Sequence, residues 1–261
     1  MTELIGRGHA LHIGVDLPDQ AHYGTDLVAL RSAEHDARAM AELTAAQGFE
    51  PATLIVGSDA HLTRVRDEIA NAVSVLNTGD SFVLTFAGYG GVVPGVDRSL
   101  CLFDQELLLA VLVGDLARFQ PGVRVVIIED ACARAVSGRD GVRALPTPIA
   151  DAVYLAHRAT YDGWADRAAH ARPSFMVPVL TLHACGLKQE AREGNLHGLF
   201  TGALLAAWSG GEYLDGPEPS YRDLVDKAAI LMAGSHQVPE LSTLVTNDQR
   251  IAYRPPFVLV T

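Results

Sequence analysis

Short apolar runs alternate with amphipathic segments along most of the chain, and this alternation is typical of a mostly parallel α/β sheet. Two runs, 81–87 and 123–129, are almost continuously apolar, like parallel strands that are buried on both faces. The pattern predicts strands at residues 10–15, 52–56, 81–87, 123–129, 177–184 and 251–260. Because Pro255 and Pro256 interrupt the last run and cannot donate to a ladder, we expect that strand at an edge of the sheet.

Apolar residues at spacings of three and four predict helices at residues 32–47, 63–76, 107–119, 199–208 and 221–233. Ser32, Thr63 and Ser220 are the expected N-caps. Residues 135–173 contain three prolines and little periodicity, so they predict an extended connection or insertion with a short helix at 148–155. We expect a single domain over residues 1–261.

The charge balance limits the classes of partner. Twenty Lys and Arg residues against 31 Asp and Glu residues give a net charge of −11, which argues against binding nucleic acid or an anionic membrane surface. No apolar run approaches the roughly 20 residues that span a bilayer, and the first residues do not resemble a signal peptide. The three cysteines have no metal-site spacing and are odd in number, so we expect reduced thiols in a cytoplasmic protein.

Candidate chemistry lies where strands end, because ligands of open α/β sheets bind beyond the carboxyl ends of the strands. Three such places follow predicted strands, at residues 88–91, 130–132 and 183–185. Cys132 comes directly after the most apolar strand and is a candidate nucleophile, for which it needs a nearby base such as a histidine. The alternative is a buried and inert cysteine.

Several motifs follow one another in a characteristic order. They are Ala-Leu-His-Ile-Gly-Val at 10–15, Ala-Glu-His-Asp-Ala-Arg-Ala-Met at 33–40, Thr-Gly-Asp-Ser-Phe at 78–82, Ile-Ile-Glu-Asp-Ala-Cys at 127–132, Ala-Cys-Gly at 184–186, His-Gly-Leu-Phe-Thr at 197–201 and Gln-Val-Pro-Glu-Leu-Ser at 237–242. In this order the chain resembles the caspase-like cysteine peptidases, in particular the bacterial metacaspase and orthocaspase branch. The resemblance implies a three-layer α/β sandwich with a mostly parallel six-stranded sheet and helices on both faces. It further implies a large-subunit half at 1–134, a connection at 135–173 and a small-subunit half at 174–261.

The resemblance also assigns the catalytic positions. Cys132 matches the nucleophile, but the position of the catalytic histidine, in a glycine-flanked turn 43 residues earlier, is occupied by Tyr89. A neutral imidazole accepts a thiol proton at pH 7, whereas a phenol, with a pKa near ~10, already carries its proton. The backbone N–H groups of Gly90 and Cys132 resemble the family's oxyanion hole. The sequence therefore predicts that ordinary peptide hydrolysis is severely impaired.

The substrate pocket is retained in part. Asp130 matches an acidic residue that holds a basic side chain of the substrate in related enzymes. The place of a second acidic residue of the family falls at Leu187 or Lys188, beside Gln189. A lysine there repels a basic side chain. Calcium is a known requirement in several metacaspases, but the sequence has no dense acidic cluster, so we expect no metal and no cofactor.

Three hypotheses for function remain. The first is a pseudo-peptidase that binds a peptide or protein in its cleft, as a monomer or weak homodimer. The second is an enzyme in which Cys132 performs slow hydrolysis or acyl transfer, with His183 as a possible substitute base because neighbouring strands lie about 5 Å apart. The third, with the least support, is an ordinary endopeptidase that cleaves after Arg or Lys.

Overall fold

The computed structural model of the chain describes residues 6–93, 98–133, 141–170, 177–186, 189–209, 219–244 and 249–259, except the side chains of 168–170, 244 and 249. The strands are β1 (Gly8–Gly14), β2 (Phe49–Val56), β3 (Ser81–Ala87), β4 (Gly90–Val92), β5 (Arg98–Cys101), β6 (Glu106–Leu108), β7 (Arg124–Asp130), β8 (Val179–His183) and β9 (Glu240–Leu244). The helices are α1 (Gln20–Tyr23), α2 (Ala33–Ala46), α3 (Leu62–Val75), α4 (Leu109–Leu116), α5 (Thr147–Ala156), α6 (Arg158–His170), α7 (Leu199–Trp208) and α8 (Tyr221–Leu231).

Six strands form one sheet in the order β2-β1-β3-β7-β8-β9, with β4-β5-β6 as a small antiparallel sheet beside it. All neighbours in the large sheet are parallel except β8 and β9. Every residue of β3 is buried, as is all of β7 apart from its first residue, in agreement with their nearly continuous apolar sequences. The predicted six-stranded, mostly parallel sheet is confirmed.

Helices cover both faces of the sheet because alternate strand residues point to opposite sides. On one face, Val83 and Ile128 pack with Met40 of α2 and Phe200 of α7. On the other face, residues such as Leu84 and Ile127 pack with Val65 and Ile69 of α3 and Leu112 of α4. Full burial of each such side chain stabilises the fold by about 1.5–3 kcal/mol.

The prediction of a last strand at 251–260 is wrong for the residues that the structure describes. Residues Gln249–Tyr253 form a 3-10 turn, and the antiparallel edge strand is β9 instead. The two prolines lack the N–H groups that a ladder needs. Ile251, Ala252 and Phe257 of this segment are buried by packing. Phe257 lies against Trp208 and Tyr221, and its N–H donates to the Tyr221 hydroxyl.

The connection between the two halves is more helical than the sequence predicts. In place of one short helix at 148–155, α5 and α6 follow each other directly, with Pro148 in the first turn of α5, where its missing N–H costs nothing. Thr63 is not the N-cap of α3, which begins at Leu62, where Asp104 accepts the hydrogen bond from the backbone N–H. Among the described residues, no helix has the length and apolar character needed to cross a bilayer.

Candidate active site

Three loops at one edge of the large sheet hold the candidate residues. The strands β3, β7 and β8 are adjacent and parallel, so their carboxyl ends lie at the same edge. Tyr89 follows β3 by two residues, Cys132 follows β7 by two residues, and His183 is the last residue of β8. The topology therefore brings Tyr89, Cys132 and His183 to the ends of three neighbouring strands.

Tyr89 is a buried side chain, not a residue exposed in an open cleft. It is 5% exposed, and its hydroxyl donates a 2.6 Å hydrogen bond to the backbone carbonyl of Val28. The ring belongs to a cluster with Leu27, Leu30 and Leu145. This hydrogen bond satisfies the one polar atom of a side chain that otherwise packs as a hydrophobic residue.

Cys132 is also buried, at 1% exposed, and its sulfur lies 4.0 Å from the carbonyl oxygen of Ala191. Its side chain is hydrogen bonded to Cys185, and this bond together with burial raises the pKa of the Cys185 thiol well above its ordinary value. The third cysteine, Cys101, is buried too, and burial raises the pKa of its thiol. These surroundings favour protonated thiols at Cys101 and Cys185.

His183 has both ring nitrogens engaged. Its Nδ1 lies 3.0 Å from a carboxylate oxygen of Glu129 and its Nε2 lies 2.9 Å from the hydroxyl of Ser242, while Arg98 approaches both Nδ1 and Glu129 at 3.2 Å. Burial alone would raise the pKa of Glu129, but the hydrogen bond with His183 and the charge of Arg98 lower it. To act as a base for Cys132, His183 has to give up one of these partners.

The N–H groups of Gly90 and Cys132 converge on a single oxygen, which belongs to the chain itself. The carbonyl oxygen of Arg143 accepts from the Cys132 nitrogen at 2.8 Å and from the Gly90 nitrogen at 3.1 Å. A side chain at position 90 cannot fit, because its Cβ would collide with the carbonyl oxygen of Cys132. The pair thus has the geometry of an oxyanion hole, with a backbone carbonyl already in it.

Arg143 also fills an acidic pocket at this edge. Its side chain is fully buried, with one guanidinium nitrogen 3.1 Å from Asp130 and the other 2.6 Å from Asp36. The Thr201 N–H and hydroxyl donate to the same Asp130 oxygen. Burial raises the pKa of Asp36 to about 6, and the charge of Asp130 adds to this increase although Arg143 opposes it.

Other pocket residues named from the sequence have different positions. Lys188 lies outside the described residues. The Gln189 side chain accepts from the N–H groups of Gly186 and Val238, so it braces the loop after β8. The described residues contain no group of three or more His, Cys, Asp or Glu side chains that could hold a metal ion.

Two residues of the site were not singled out from the sequence. The sequence could have indicated that Asp36 has a buried partner, because it lies on the buried face of α2 between Ala33 and Met40, where an unpaired charge is costly. No pattern in the sequence indicated a role for Arg143, since it lies in the connection, which has little periodicity.

Comparison with known proteins adds to this geometry. Residues 7–249 match the family model of the caspase domain. The crystal structure of a structural-genomics target protein from Geobacter sulfurreducens is 31% identical in sequence, with a TM-score of 0.86, over 98% of this chain and 100% of that chain. The crystal structure of caspase-1 from Spodoptera frugiperda shares the fold at 12% identity, with a TM-score of 0.57, over 91% of this chain and 88% of that one. No curated protein sequence matches the chain.

Proposed function

This chain belongs to the caspase-domain family, and we propose that it is a member without peptidase activity that acts by binding a peptide or protein. The observation that carries the proposal is Tyr89. It stands at the position of the family's catalytic histidine, and its hydroxyl is committed to the Val28 carbonyl. A phenol cannot take the thiol proton at neutral pH, and it does not supply the cation that stabilises a thiolate.

The environment of Cys132 supports the same conclusion. Its sulfur is buried and hydrogen bonded to a second thiol, Cys185. The Arg143 carbonyl, which already accepts from the N–H groups of Gly90 and Cys132, supports the proposal further because it stands where a substrate carbonyl would bind.

The test is a peptidase assay on the full chain and on Cys132→Ala. Fluorogenic peptide amides that end in Arg, Lys or Asp cover the basic and acidic specificities of the fold. We expect no release of fluorophore that depends on Cys132. Cleavage by the unaltered chain that disappears in Cys132→Ala would overturn the proposal and favour an endopeptidase.

A second candidate, a Cys132-dependent enzyme with atypical chemistry, is favoured by one observation. The N–H groups of Gly90 and Cys132 still point at a common oxygen, so the site keeps the means to stabilise an oxyanion. In this alternative His183 is the substitute base and has to leave Ser242. Ester substrates such as p-nitrophenyl acetate test it, because they need a weaker base than amides do, and turnover lost in both Cys132→Ala and His183→Gln would support it.

A further inference from the structure

A cavity of about 280 Å³ lies among α3, β6, α4 and α6. Its lining does not include Tyr89, Cys132 or His183, so the cavity is separate from the candidate active site. Its volume is close to the lower limit of the roughly 300–1,000 Å³ that pockets for small molecules have. The cavity therefore suits a small molecule and is too small for an extended peptide.

Much of the cavity wall is apolar. Leu62 contributes from α3, Leu107 from β6 and Val111 from α4, and Trp164 of α6 adds a half-buried indole ring. The indole ring packs edge-on against Tyr161, with the ring centroids 5.6 Å apart, and this contact fixes its position. A wall of this kind favours an apolar group, because binding removes both surfaces from water.

Gly114 leaves the cavity open on the side of α4, which it also lines. It lies in the interior of the helix, where glycine is less favourable than alanine, and its backbone conformation does not require a glycine. Beyond the backbone of α4 itself, a Cβ at this position would meet no atom of the described residues within 4 Å. The effect of the glycine is to keep space free in front of the helix.

The polar part of the lining contains one cation without a partner. Arg66 and Asp115 form a bidentate pair at 2.6 and 2.9 Å, so their charges compensate each other. The buried Glu106 carboxyl accepts from the Ser99 hydroxyl, and burial raises the pKa of Glu106 although this hydrogen bond lowers it. Arg167 is exposed and makes no hydrogen bond or ion pair with any described residue. Its charge is available to an anion.

We propose that this cavity binds a small carboxylate that carries an aromatic or branched aliphatic group. The carboxylate pairs with the guanidinium of Arg167, whose planar fork can contact both carboxylate oxygens at once. The apolar group lies against Trp164 and Val111, in the space that Gly114 leaves free. A cationic ligand is disfavoured, because the Asp115 carboxylate already has a cation as its partner. The site is independent of the proposed function, since none of these residues belongs to the candidate active site.

The test is isothermal titration calorimetry of the full chain with hydrocinnamate. Hydrocinnamamide and phenylpropylamine are the matched probes, because they keep the phenyl group and remove or reverse the charge. We expect hydrocinnamate to bind with a dissociation constant of about 1 mM. Both matched probes are expected to bind at least about 10-fold more weakly, because neither forms a charge-assisted pair with a guanidinium.

Two variants test the position of the bound probe. Arg167→Gln removes the cation and is expected to weaken the binding of hydrocinnamate about 10-fold. Gly114→Leu fills the free space in front of α4 and is expected to abolish binding. Arg158→Gln, which changes an exposed arginine of the same helix α6 outside the cavity lining, is the matched control and is expected to bind like the unaltered chain.

Urea unfolding establishes that each variant is folded, and if Gly114→Leu is not, Arg167→Gln decides by itself because it changes an exposed side chain. Unchanged binding of hydrocinnamate in either folded variant would overturn the site. Equal affinity for the carboxylate and its amide, or absence of binding up to about 10 mM, would do the same. Preference for phenylpropylamine would also overturn it and would indicate recognition by Asp115 or Glu106.

Discussion

The carbonyl oxygen of Arg143 lies 2.8 Å from the amide nitrogen of Cys132, so the backbone of Cys132 already binds a peptide carbonyl from its own chain. Under the proposed function, Tyr89 at the position of the base is thus one of two obstacles to peptide hydrolysis. The other is physical occupation of the cleft, and the two obstacles can be removed separately by substitution.

Restoring the histidine alone is expected to be insufficient. In Tyr89→His the imidazole regains the position of the base, but the N–H groups of Gly90 and Cys132 still hold the Arg143 carbonyl. Arg143→Ala removes the buried guanidinium that anchors residues 141–145 to Asp36 and Asp130, so that the carbonyl of residue 143 can leave these N–H groups. We therefore expect no hydrolysis of an arginyl fluorogenic amide by Tyr89→His and measurable hydrolysis by the double variant Tyr89→His, Arg143→Ala. Adding Cys132→Ala to the double variant has to abolish it. Activity in Tyr89→His alone would show that occupation of the cleft is no barrier.

Alkylation measures the state of the thiols directly. Because Cys101, Cys132 and Cys185 are all buried, we expect iodoacetamide to label each of them in the native chain far more slowly than in urea, by about 100-fold or more. Peptide mass spectrometry resolves the three sites, with Cys101 as the internal reference. Rapid labelling of Cys132 with an apparent pKa well below ~8.5 would reveal a stabilised thiolate and favour the atypical enzyme instead.

Removal of the Arg143 side chain is expected to destabilise the fold strongly. Arg143→Ala leaves Asp36 and Asp130 buried without their cation, which costs about 3–5 kcal/mol. Arg158→Ala breaks only an exposed ion pair on α6 and is expected to leave the urea midpoint essentially unchanged. Urea unfolding of both variants provides the comparison. A loss below 1 kcal/mol in Arg143→Ala would mean that the pocket readily relaxes or fills with water.

The buried His12, which lies outside the candidate site, predicts that the stability of the fold falls in acid. It is fully buried between the hydroxyls of Thr44 and Thr85, and burial lowers its pKa to about 3. Because the unfolded chain takes up this proton near pH 6.5, the stabilisation is complete above that pH and is lost as the pH falls toward 3, by about 4 kcal/mol. Urea unfolding at pH 7, 5 and 4 is expected to show a shallower pH dependence for His12→Gln. His35→Gln, at an exposed position of α2, should retain the dependence of the unaltered chain.

Much of the fold could be predicted because the central strands are buried on both faces and are therefore almost continuously apolar in sequence. The nearly continuous apolar run of β3 gives its observed limits, Ser81–Ala87. The edge of the sheet was predicted wrongly. An edge strand is paired on one side only, so β9 has no such run, while the apolar residues near Phe257 are buried by packing against helices instead of pairing.

The site could be predicted only where strand order determines it. Tyr89 and Cys132 follow adjacent parallel strands, and the roles proposed for them are those that the resemblance implies. Arg143 meets Asp36 across 107 residues of sequence, and no local periodicity links an arginine in the connection to a carboxylate on α2. Such a contact forms only in the complete fold and cannot be predicted from any single segment of the sequence.

Under the proposed function, a peptide that binds in the cleft has to displace the carbonyl of Arg143, which stands eleven residues after Cys132. A ligand held by a short tether is present at an effective concentration in the range of about 1 mM, however dilute the protein is. A free peptide with the same contacts has to exceed that concentration to occupy half of the clefts. Under this proposal, a partner at cellular concentrations needs a second surface that binds elsewhere on the domain, so that its cleft-binding segment is also presented at high local concentration.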